Sequence, residues 1–139
     1  MNEADSRLAA ALAAEHAAIF GYGVAGARLD GAALDAARAA EAVHRVRRDA
    51  LLTRLVSAGA TAPPAEPAYA LPFPVTDAGS ALRLAVHLEE RTAAVWRHAL
   101  GGTDGDQRKL ALDALVDCAV RATRWRIVAG VSPATVPLP

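Results

Sequence analysis

Residues 59–76 read GATAPPAEPAYALPFPVT, and the five prolines in this stretch forbid a continuous helix through it, because proline removes an amide donor and its ring clashes with the preceding turn. The chain on either side reads as helix. N-terminal to it, a second helix is expected from about Ala32 to Ser57, stopped by Gly59. A first helix is expected before that, capped by Asp5 or Ser6 and running to about Leu29, where Asp30-Gly31 breaks it. C-terminal to it, Thr76 or Asp77 opens a third helix that ends at Leu100 before Gly101-Gly102. Thr103 or Asp104 opens a fourth that reaches about Ala129 before Gly130. Composition agrees: 53% of residues are hydrophobic, only 4% are aromatic, and alanine is by far the commonest residue. Alanine is the best helix former and lets helices approach closely. β-branched residues are too scattered to alternate as strands, so residues 1–139 read as a single all-α domain.

Linker lengths set the topology. The turns between helices 1 and 2 and between helices 3 and 4 are short, so each pair forms an antiparallel hairpin. A helix of about 26 residues is about 39 Å long. About 18 residues of extended, proline-rich chain reach about 56 Å. The 59–76 segment can therefore run the length of the bundle and start helix 3 parallel to helix 2. One long crossover in a four-helix bundle is the ferritin-like arrangement. Tyr69, Leu71, Phe73 and Val75 are placed to pack the crossover on the helices.

Fifteen basic and fifteen acidic residues cancel. That balance, and the lack of any reading-helix signature around Arg45, Arg47 and Arg48, argue against nucleic acid as a partner. The single Cys118 forms no internal disulfide and is expected buried and inert in a reducing, cytoplasmic setting. Residues 1–6 (MNEADS) are unlike a signal peptide. The apolar run from Leu8 to Leu29 has Glu15 and His16 at its middle, which argues against a membrane span.

Polar residues interrupt two otherwise apolar seams. Helix 1 carries Leu8, Leu12, Glu15, Ile19, Tyr22, Gly26 and Leu29 at spacings of three and four; helix 2 carries Leu34, Ala37, Glu41, His44, Arg48, Leu51 and Leu55. A carboxylate in such a seam needs a metal, a cation or hydrogen bonds. Counted from the first turn, Glu15 and Glu41 differ in height by only about 3–5 Å. Glu41-Ala-Val-His44 is a Glu-x-x-His unit, and Glu89 (with Glu90 as its neighbour) is the matching residue of helix 3. A full di-iron bundle uses two single glutamates and two Glu-x-x-His units. Helix 4 offers only Asp117 at the right level, with Val120 where histidine is wanted.

Two interiors are consistent with this pattern. In one, Glu15, Glu41, His44, Glu89 and Asp117 hold iron or manganese. In the other, Arg48 (one turn from His44) or Arg121 (one turn from Asp117) reaches inward and pairs with the carboxylates. Tyr22 reads as a core tyrosine with a bonded hydroxyl, and Trp96 and Trp125 as large fillers. His16 is expected at a surface or interface, and His87 and His98 are expected exposed.

The segments LAAEHAAIFGYGVAGARL (12–29), HRVRRDAL (44–51), PAYALPFPVTD (67–77) and AVRATRWR (119–126) together resemble an uncharacterised ferritin-like domain family of bacterial, typically actinobacterial, proteins. The resemblance spans nearly the whole chain. It implies the ferritin-like bundle and a dimer, and it implies no chemistry, because members have no assigned activity. Similarity to better-studied ferritin-like enzymes implies a ligand role for Glu15, Glu41, His44 and Glu89. The expectation is therefore a non-catalytic module with an ion-paired polar core. It would form a homodimer through alanine-rich faces, helix 1 above all, or bind a small ligand between its helices. The alternative is an iron- or manganese-dependent oxidoreductase.

Overall fold

The first and third helices begin where a short polar side chain takes over the first unpaired amides, while Asp30 and Asp104 stand at the N-caps of the second and fourth without a side-chain cap bond. Asn2 accepts a hydrogen bond from the Asp5 amide (2.8 Å), so α1 (Glu3–Gly26) starts earlier than a cap at Asp5 or Ser6 would place it. It also stops at Gly26, short of Leu29. Asp30 precedes α2 (Gly31–Ser57), and Asp104 precedes α4 (Gly105–Ala129). Asp77 and Ser80 form a reciprocal capping box at the start of α3 (Ala78–Gly101). Gly59 and Gly130, just past α2 and α4, have φ of 68° and 69°, the left-handed conformation that ends helices and favours glycine. This computed structural model describes residues 1–137, and among them there are four helices and no strand.

Two apolar clusters fix the helix directions. One joins Leu8 and Leu12 of α1 to Leu51 and Leu55 of α2, Trp96 of α3 and Leu115 of α4. The other joins Tyr22 and Ala25 of α1 to Ala37 and Ala40 of α2, Leu84 of α3 and Trp125 of α4. The start of α1 thus lies beside the end of α2, and the ends of α2 and α3 lie at the same end of the bundle. The hairpins are antiparallel, and α2 and α3 run parallel, as the linker lengths require.

The crossover runs the full length. Ala60 and Ala62 pack on the first cluster, and Leu71, Phe73 and Val75 on the second. Tyr69 lies against Phe20 with ring centroids 5.7 Å apart. His16 is half-buried, its Nε2 3.1 Å from the Pro63 carbonyl. α1 packs on both α2 and α3, and α3 packs on both α1 and α4. A Cβ at Gly21 would stand 2.5 Å from Leu88 Cδ2, so glycine there permits the close approach of α1 to α3. α1 is also long and apolar enough to cross a membrane by length and composition. About half of that apolar stretch is buried against α2, α3 and the crossover inside one bundle.

Candidate functional site

Between the two apolar clusters lies a polar layer centred on His44. Both ring nitrogens are engaged: Nδ1 with Glu15 Oε2, and Nε2 with Glu89 Oε2 at 2.8 Å. The side chains of Glu15, His44 and Glu89 are all 0% exposed. The remaining carboxylate oxygens are also served. Glu15 Oε1 accepts from Trp96 Nε1 at 2.7 Å, and Arg47 Nη1 lies 3.9 Å from it. Glu89 Oε1 faces Arg121 Nη1 at 3.4 Å, and Glu89 Oε2 also accepts from the Tyr22 hydroxyl. That hydroxyl in turn accepts from Trp125 Nε1 at 2.9 Å.

A second, half-exposed tier lies toward the gap between α2 and α4. Asp117 accepts from Arg121 at 2.8 and 3.0 Å and from Arg47 at 3.2 Å. Three carboxylates (Glu15, Glu89, Asp117) therefore meet three cations (Arg47, Arg121 and His44 in its charged form), and the cluster closes at zero net charge. Among the described residues the one buried side-chain nitrogen or oxygen without a partner is His16 Nδ1, outside this layer. Unpaired polar atoms are costly inside a protein, and here none is left over.

The layer sets its own protonation. Burial is the largest influence on His44 and disfavours the imidazolium. The bonds to Glu15 and Glu89 and the charges of both outweigh it and hold His44 up, to about 9. Burial likewise pushes Glu89 upward, but the bond and charge of His44, with Arg121 and the Tyr22 hydroxyl, leave it below the usual carboxylate range. Tyr22 is pushed well up, by burial first and by the Glu89 charge second, so its phenol stays protonated and donates. Burial, then the charges of Glu89 and Glu15, push the Cys118 thiol up, which makes it a poor nucleophile. Asp117 is held low, since Arg121 and Arg47 overcome its burial.

Glu15, His44 and Glu89 converge as the sequence suggested, with Tyr22 and Arg121 as polar partners. Glu41 and Arg48 do not join them. The inward stripe of α2 follows Ala37, Ala40, His44, Leu51 and Leu55. Glu41 and Arg48 sit on the flank of that stripe turned away from α4, where they bond Arg45 (3.0 Å) and Asp49 (2.9 Å). Arg47, on the flank facing α4, enters the centre in place of Arg48. Helix 4 also has a different phase. Cys118 faces the core at 0% exposure, Asp117 sits at the rim, and Val120 is 46% exposed on the outer side. A histidine at 120 would point away from the centre.

Sequence reasoning missed Trp96 and Trp125 as donors, although a buried indole N–H normally requires an acceptor. It also missed that His44, Glu89 and Cys118 each place one donor atom within 4.8 Å of the others. Cys118 and Trp125 are buried as expected, and His98 is exposed. His87 is half-buried, and burial together with Arg91 lowers its basicity.

The family described as "Domain of unknown function (DUF4439)" matches residues 7–139. A solved structure, that of a conserved hypothetical protein, rv2844, from Mycobacterium tuberculosis, is 40% identical in sequence, with a TM-score of 0.88. The match covers 92% of this chain and 98% of that one. A comparison with curated proteins gave no match.

Proposed function

The chain belongs to the DUF4439 family of unknown function, and from that premise we propose that it is a non-catalytic, ferritin-like binding module whose polar centre is structural. The observation that carries this reading is His44, bonded through both ring nitrogens to Glu15 and Glu89. An imidazolium so placed has no lone pair to give a metal. Arg121 and Arg47 supply the rest of the positive charge that a metal pair supplies in a di-iron bundle. With the Cys118 thiol and the Tyr22 phenol held protonated and Glu89 and Asp117 held ionised, the layer has neither a nucleophile nor a poised acid–base pair. Its work is to fix helix register, since each carboxylate fits only its own partners.

Binding would then fall to the one weakly closed seam, between α2 and α4. Two recesses lie there, of about 400 Å³ beside Val43, Val46 and Leu110 and of about 240 Å³ beside Ala40, Trp125 and Val128. The reading as an iron or manganese oxidoreductase through Glu15, Glu41, His44 and Glu89 has less support. Glu41 is drawn off to Arg45, and the donors that do cluster (His44, Glu89 and Cys118) form a set softer than iron–oxygen chemistry prefers.

Metal analysis tests this directly. Protein purified without chelator should carry far less than one iron or manganese per chain, and added Co(II) should produce no ligand-field absorption at equimolar concentration. About one bound metal per chain, with loss of the His44 N–H signals, would overturn the reading.

A further inference from the structure

The crossover covers the groove between α1 and α3, and no segment among the described residues covers the matching groove between α2 and α4. The large apolar side chains left most open to water fall mainly on those two helices. Val46 is 72% exposed on α2, and Val116, Val120 and Val128 are 50%, 46% and 56% exposed on α4. Alanines fill the space between them: Ala36, Ala39, Ala42 and Ala50 on α2 keep the surface low and flat. Two apolar patches of this kind, on either side of the Arg47–Asp117–Arg121 tier, mark an interaction surface.

We infer that this face binds a second copy of the same chain, turned about a two-fold axis parallel to the bundle, so that α2 of each copy lies on α4 of the other. The inference rests on the reading of the protein as a binding module and names its partner. Size favours it. Two helices about 37 Å long and about 10 Å wide present a face of roughly 700 Å². A standard protein interface takes about 800 Å² from each partner.

Charge favours it too. Arg54 near the end of α2 lies at the same end of the bundle as Asp106 of α4, where Asp113 is already bonded to Lys109 at 2.7 Å. Asp35 near the start of α2 lies at the same end as Arg124. The two-fold rotation sets Arg54 of one copy against Asp106 of the other, and Asp35 against Arg124. Unlike charges therefore meet at both ends, with the apolar rows between them. The Arg47–Asp117–Arg121 tier, at the middle of the face, becomes fully enclosed. An isologous arrangement of this kind closes on itself and leaves no edge for further growth.

Light scattering and sedimentation velocity at about 50 µM, a concentration at which a micromolar dimer is well populated, should give twice the 14.4 kDa chain mass. Val46→Glu with Val120→Glu should give the 14.4 kDa species with an unchanged helical spectrum, and Ala70→Glu on the crossover should remain dimeric. Arg54→Glu should weaken the dimer several-fold, and adding Asp106→Arg should restore it. Should the double glutamate variant fold poorly, dilution of the unaltered protein gives the same information. Amide signals of Val43, Val46, Val116 and Val120 should shift between about 300 and about 3 µM, while those of residues 67–75 stay in place. A monomer at all concentrations, or a dimer indifferent to the changes at Val46 and Val120, overturns the inference. Neither result touches the ion-paired centre, which stands or falls on metal content.

Discussion

His44 gives the sharpest test of the polar layer, because its charge is written into the stability of the fold. The group rises from an ordinary value of 6.5 to about 9 on folding. A folded-state value above the unfolded one means that the native protein holds a proton the unfolded chain gives up. The contribution is fully present below about pH 6.5 and is lost as pH rises through about 9. A shift of about 2.5 units at 1.36 kcal/mol each amounts to about 3 kcal/mol. This is the pH-dependent part of the layer's energy and not its net worth, since burying the three charges has its own cost. Urea unfolding at pH 6, 7.5, 9 and 10 should therefore show the unfolding free energy falling by about 3 kcal/mol, most of it above pH 7.5. The Glu15→Gln, Glu89→Gln double variant removes both partners of the imidazolium and should flatten that slope. Nitrogen-detected NMR of the imidazole offers a direct view, with both ring nitrogens protonated at pH 7.5. A wild-type stability that is level from pH 6.5 to 10, or a His44 that titrates near 6.5, refutes the argument.

Trp96→Phe should leave Glu15 Oε1 without its nearest donor. The expected loss is about 2 kcal/mol, or roughly 8 °C in Tm by calorimetry; a change under about 2 °C would show that another donor replaces the indole. Arg121→Met should cost about 3 kcal/mol, because it strips a cation from Glu89 and Asp117 together. Arg48→Met and Glu41→Gln should each stay within about 0.5 kcal/mol, their partners being at the surface. Equal losses in chemical denaturation for Arg48 and Arg121 would contradict the observed helix 2 phase.

The sequence by itself determined the helices, their order and their directions. Those follow from local rules: Thr76 or Asp77 opens α3, Gly59 and Gly130 stop α2 and α4, and the length and prolines of 59–76 set how far the chain must travel. Apolar residues spaced by three and four placed Glu15, His44 and Glu89 inside, because a residue's side of its own helix is fixed by the backbone. Which of two adjacent residues enters the centre is not fixed in that way. Glu41 and Ala40, or Arg48 and Arg47, differ by 100° around α2, and a stripe read at spacings of three or four tolerates either. Only the position of α4 beside α2 decided that Arg47 turns inward and Arg48 outward, and only the packing of α4 on α3 decided that Cys118, not Asp117 or Val120, meets the core. The same holds for the cations. Long arginine side chains reach across helix gaps that no single helix defines, so the choice between a metal and a guanidinium depends on contacts between Arg121 and Glu89, which are 32 residues apart in sequence. Helix 1 is a similar case. Its composition records how apolar its surface is, but how much of that surface α2, α3 and the crossover cover is settled only when they are laid against it.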